Sequence, residues 1–154
     1  MLPDHPPFFL HLAQDALSKR LPPLFSGGML RELLRTGPAE LNVKEAMAPI
    51  VGFARLYALR HGIGATATIE RLAGLGEAGV LAPALHDQIV RTWWFLSQLR
   101  LQSQEESSRT RGAASDLLNT RGLSAGDEAM LRAAAAQVVL LQKRISFDFL
   151  GSAL

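Results

Sequence analysis

Six side chains that can meet a negative charge or share a proton stand in one short part of the chain. Lys44, Arg55, Arg60, His61, Thr68 and Arg71 fall within Leu41 to Leu72, LNVKEAMAPIVGFARLYALRHGIGATATIERL, among mostly apolar residues and few acids. A purely structural surface helix would alternate charge signs along its solvent face. This one suits either an anionic ligand or a polar network tying helices together. Arg55 and His61 also offer a cleavage chemistry, with histidine as general acid–base and arginine steadying a phosphorane-like charge. Six residues of helix rotate by about 600°, however, which leaves the two side chains about 120° apart.

Other chemistries lack their residues. His5, His11, His61 and His86 contain no pair four residues apart, the spacing of a metal-binding helix face. There is no cysteine, so disulfides, thiolate metal sites and cysteine nucleophiles are excluded. The bare letters of Gly-x-Ser-x-Gly stand at Gly122–Gly126 and those of the dinucleotide glycine fingerprint at Gly74–Gly79, but no strand is expected before either, and a phosphate-cradling glycine loop ending in Lys-Ser/Thr is missing. So is Asp-x-Asp, and two-metal nucleotidyl transfer needs clustered carboxylates to hold magnesium. No catalytic residue and no metal ligand is assigned, and the chain is not expected to be an enzyme on its own. Trp93, Trp94 and Phe95 could stack on a base, but three adjacent helical positions cannot share a face. Trp93 belongs to a core stripe, which leaves one tryptophan for an interface.

At 154 residues, 48% hydrophobic and 19% charged, the chain has the size and composition of one globular domain. A net charge of +2 with no Lys/Arg run does not describe a phosphate-tracking surface, so nucleic acid is not an expected partner. Arg109, Arg111 and Arg121, interspersed with Glu105, Glu106 and Asp116, read as a solvated loop. No apolar run approaches the roughly 20 residues of a membrane span, and no membrane partner is expected. MLPDHPPFFLHLAQ is a poor signal peptide, which makes the cytoplasm the expected compartment.

The elements that must position these residues are helical, and strand patterns are absent. A first helix is expected from Pro6 or Pro7 through FFLHLAQDALSKR, followed by a break at LPPLFSGG and a short helix in MLRELLR. A second opens at Asn42, with Glu45 completing a capping-box spacing, and closes at Gly62. A shorter helix runs from Thr66 or Thr68 to Ala78, ending at Gly79. The next starts near Pro83 and continues through LQSQEES, with Leu85, Ile89, Trp93, Leu96 and Arg100 facing the core. RTRGAASDLLNTRG is the longest loop. Ser124 and Asp127 cap a final helix to about Phe149, whose Leu131, Ala134, Val138, Leu141 and Ile145 form a bundle-like seam. The expected fold is all-α, an antiparallel four-helix-bundle-like domain with additional short helices, spanning 1–154. Residues 1–40 form its N-terminal helix and Pro/Gly-rich lead-in, and 41–150 its main bundle.

The order of these residues resembles the nucleotidyltransferase substrate-binding domain family. Lys44, Pro49, Arg55, Ala58, Leu59, Gly62, Ile63, Thr68, Arg71 and Leu72 fall on the family pattern, and Arg100 and Gln104 fit its Leu-Arg-x-x-x-Gln segment. Asn119 and Leu123-Ser124 fit the approach to the last helix, and FFLHLAQDAL with PPLFSGG fits the opening. Where the family has an Asp before Leu-Lys, this chain has Asn42. An amide still caps a helix but neither holds magnesium as a carboxylate nor neutralises an arginine.

The resemblance implies a non-catalytic module of bacterial signal-transduction proteins that carry cyclic-nucleotide-binding or CBS domains. The nucleotidyltransferase domain of such proteins is similar to that of PII uridylyltransferase. It implies Lys44, Arg55, Thr68, Arg71, Arg100 and Gln104 as substrate-binding residues that orient an acceptor or nucleotide. Magnesium and a nucleoside triphosphate would be held by that catalytic domain, in the same native chain or a separate one. Two alternatives stand beside it. Arg55, five residues and His61 resemble the pattern of HEPN ribonucleases, although Leu56 stands where those enzymes place a polar residue. The other alternative is a structural or dimerisation bundle, with a second copy of the chain as partner. Arg55 and Arg71 either face a substrate or pair inward with carbonyls and acids.

Overall fold

A computed structural model of the protein describes residues 6–19 and 40–151. The described residues are predominantly helical, with five α-helices and one small sheet. Helix α1 (Pro6–Ser18) opens on its proline pair, where a missing N–H costs nothing. Strand β1 (Glu40–Asn42) leads directly into α2 (Val43–Arg60). Asn42 Oδ1 accepts from the Glu45 N–H at 3.2 Å while its amide donates to the Glu45 carboxylate at 3.1 Å. The expected cap therefore forms with an amide in place of an acid.

Helix α2 ends at Gly62, whose φ of +69° is a left-handed conformation open to glycine. The Ile63 N–H returns to Ala58 O at 2.8 Å and that of Gly62 to Leu59 O at 3.2 Å, closing a Schellman turn. Helix α3 (Thr68–Glu77) stops in the same way at Gly79. Helix α4 (Pro83–Arg111) is the longest at 29 residues. Ser124 Oγ accepts from the Asp127 N–H at 3.0 Å and donates to its carboxylate at 2.8 Å. This caps α5 (Ala125–Ile145), which runs on into a π-helical turn, Ser146–Leu150.

Two expectations need correction. Helix α4 runs on past Ser107 to Arg111, so Arg109 and Arg111 lie in its last turn rather than in a loop, where cations complement the helix dipole. And a sheet exists. Strand β2 (Leu117–Asn119) pairs antiparallel with β1, Glu40 opposite Asn119, Leu41 opposite Leu118 and Asn42 opposite Leu117. A single 3-10 turn, Thr120–Gly122, follows. Three residues are too few for an alternating pattern to stand out, and the partners are far apart in sequence. The expected break at LPPLFSGG and the short helix MLRELLR lie outside the described residues.

The chain divides into two compact units. One comprises residues 6–19, 48–91 and 137–151. Its buried side chains include Ile50, Phe53, Leu56, Leu72, Leu75 and Leu81. Gly52 permits close approach of α1, since a Cβ there would stand 3.1 Å from that of Ala16. The other unit comprises residues 40–47 and 92–136, with Leu41, Val43, Phe95, Leu96, Leu99 and Leu131 buried. All five seam positions expected on α5 are buried, and on the α4 stripe Ile89 and Leu96 are fully so. Among the described residues no helix is long and apolar enough to cross a membrane.

Candidate functional site

The densest polar cluster lies in the second unit and is built by α4. Arg100, Ser103, Gln104 and Ser107 follow the three–four spacing of one helix face, which here is polar. That face receives the segment just before β2. Arg100 Nε donates to Asp116 Oδ1 at 2.7 Å, and Gln104 Nε2 donates to the same oxygen at 2.9 Å. Ser103 Oγ donates to Leu117 O at 2.7 Å, with Ser115 O 3.0 Å away. Ser107 Oγ accepts from the Ser115 N–H at 2.7 Å and donates to Ser103 O at 2.7 Å. Four side chains of one helix face thus fasten residues 115–117 to the helix.

The sheet brings the start of α2 to the same place. Beyond the ladder, the Val43 N–H donates to Asp116 O at 2.9 Å. Lys44 follows immediately, exposed and without a hydrogen bond or ion pair among the described residues. The Asp116 carboxyl is held below its ordinary 3.8, first by the hydrogen bond from Arg100. Burial opposes this, while the Gln104 hydrogen bond and the charges of Arg100 and Lys44 reinforce it. Asp116 is consequently a fixed carboxylate, suited to positioning cations and not to donating a proton.

Beside the ladder the same unit has a half-open cleft of about 560 Å³. Glu40, Glu106 and Asp127 line it with a single guanidinium, that of Arg111. Arg111 pairs with Glu40 at 3.5 Å, and Arg109 pairs with Glu106. None of the six expected substrate-binding residues lines this cleft. Its acidic walls disfavour a phosphate. Among the described residues no three of His, Cys, Asp and Glu gather to hold a metal ion.

Arg55, Thr68 and Arg71 lie in the first unit. Arg55 is exposed and has no partner among the described residues. Thr68 opens α3, half-buried. Arg71 Nε donates to Ala65 O at 2.9 Å, binding its helix to the preceding loop, so for Arg71 the inward pairing is the one observed. His61 is exposed one residue beyond α2.

A second polar knot in this unit was not expected from the sequence. Tyr57 Oη donates to Asp148 Oδ2 at 2.5 Å, and Arg144 reaches the same oxygen at 3.5 Å. Arg144 also donates to Val80 O at 3.1 Å and lies 5.4 Å from the Tyr57 ring centre. Burial first, then the hydrogen bond and charge of Asp148, push the Tyr57 phenol far above its ordinary 10.0, with Arg144 opposing.

Of the six residues taken from the resemblance, the structure gathers Lys44, Arg100 and Gln104 around Asp116. Asp116 itself went unassigned because a lone acid among arginines carries no signal until its partners are known. The polar periodicity of Arg100, Ser103, Gln104 and Ser107 was the available clue. A family model described as "Putative nucleotidyltransferase substrate binding domain" matches residues 6–149 of the chain. No curated protein and no solved structure matches it.

Proposed function

Because the chain belongs to the nucleotidyltransferase substrate-binding domain family, we propose that it is a non-catalytic helical module that orients an anionic substrate for a nucleotidyltransferase catalytic domain. The observation that supports this reading is the pairing of Arg100 and Gln104 with Asp116 beside the start of α2, where Lys44 stands exposed. Arg100 and Gln104 spend their donors on Asp116, so their role is positional: they hold the carboxylate that lies beside the start of α2. Lys44 is the cation left to address solvent there, and it is the residue that would meet a phosphate or carboxylate of the substrate. Arg55, exposed in the other unit, is a second such cation.

The contribution to rate is one of orientation. The catalytic carboxylates, magnesium and the nucleoside triphosphate belong to the partner domain, in the cytoplasm of a bacterium, and no step is assigned to a metal on this chain. The test is a thermal-shift series on the chain with the four nucleoside triphosphates and their monophosphates, with and without magnesium. A ligand that raises the melting temperature with concentration, and fails to do so in folded Lys44→Ala or Arg55→Ala, supports the reading. Shifts that survive both substitutions, or none with any ligand, count against phosphate binding by this module.

A further inference from the structure

One face of α4 is exposed and carries an ordered set of residues that neither knot uses. Arg91, Trp94, Gln98, Leu101 and Glu105 follow at spacings of three, four, three and four, which keeps them on one side of a helix. Trp94 and Leu101 are each 56% exposed, and two turns of one helix bring them onto the same face. Among the described residues Arg91 engages only its Nε, on Asp87 O at 3.3 Å. Glu105 has no partner among the described residues.

The arrangement is self-complementary. Trp94 and Leu101 flank Gln98 by four and three residues, and Arg91 and Glu105 flank it by seven on either side. We propose that this face binds the same face of a second copy of the chain, the two helices antiparallel about a two-fold axis near Gln98. A two-fold interface requires that residue i meet j while j meets i. Here each Trp94 covers the second copy's Leu101, and each Arg91 faces the second copy's Glu105. Sign reversal across the axis makes the antiparallel pairing attractive at both ends and a parallel one repulsive at both. Covering two Trp94 and two Leu101 side chains removes on the order of 400 Å² from water, well below the roughly 1,200–2,000 Å² of a stable interface. The dimer is therefore weak, forming at micromolar concentration and above.

Sedimentation velocity on the chain over roughly three decades of concentration, at low and moderate salt, tests this together with Arg91→Glu, Glu105→Arg and the double swap. The average mass should rise from 16.7 kDa towards twice that value. Each single reversal should weaken association by about tenfold, and the double swap should restore most of it. All four positions of the pairing are exposed, so circular dichroism should show every variant folded. A chain monomeric throughout, as it would be if another protein covers this face, overturns the proposal. So does association that the single reversals leave unchanged, or a double variant no better than the singles.

Discussion

Arg100 and Asp116, sixteen residues apart in sequence, meet at 2.7 Å and set the register of the segment between the longest helix and the sheet. Gln104 adds a second donor to the same oxygen. The pair converts a polar stretch of α4 into an anchoring face, and it brings Asp116 to the start of α2.

Replacing Asp116 with Asn should lower stability by about 1–2 kcal/mol, since hydrogen bonds to charged groups contribute roughly 1.5–3 kcal/mol and the half-exposed Arg100 is partly screened. The folded carboxyl sits below its ordinary 3.8. Its contribution is thus present above that pH and lost as pH falls through the folded value. Urea unfolding at neutral and acid pH should show wild type and Asp116→Asn converging as acid is added.

Tyr57 is the sole tyrosine of the chain, so absorbance near 295 nm reports its ionisation without interference from another. With its pKa raised above 10.0, the phenol should stay protonated in the folded protein at pH values where the unfolded chain ionises. Its stabilising contribution is complete below 10.0 and declines as pH rises towards the folded value. A folded-state titration near 10.0 would contradict the Asp148 contact. Tyr57→Phe should cost about 1 kcal/mol.

Asn42→Asp installs the family residue. The new carboxylate still caps α2 and suits its N-terminus, but it cannot donate to Glu45, as the amide does at 3.1 Å, and it faces that acid. A loss of roughly 0.5 kcal/mol at neutral pH is expected, shrinking as Glu45 protonates. Thermal melts at pH 7 and pH 4 would show it.

Gly62→Ala places a Cβ in a left-handed residue, φ +69°, at a cost of about 1 kcal/mol. Gly64→Ala, with nothing within 4 Å of the added atom and no positive φ, serves as the control and should change stability by less than about 0.5 kcal/mol. Equal effects would argue against the Schellman turn.

Much of the framework is local and was readable from residue order. Asn42 with Glu45, Ser124 with Asp127, Gly62 and Gly79 all act within a few residues of themselves, so their types and spacing announce helix ends directly. The inward positions of α5 follow equally from spacing, because a helix has a fixed period. The two strands and the extension of α4 through Arg111 escaped, since three-residue strands are stabilised by a distant partner rather than by their own pattern.

Composition and spacing alone determined that this is a helical chain without cysteine chemistry, with its capped helix ends and family pattern in place. Only the tertiary structure decided which charged groups meet. It tied Arg100 and Gln104 to Asp116, turned Arg71 onto a backbone carbonyl, joined Tyr57 to Asp148, and left Lys44 and Arg55 facing solvent. The reason is physical: capping and periodicity are short-range consequences of backbone geometry, whereas an ion pair depends on where folding brings two long side chains, and burial then determines how strongly each charge is held.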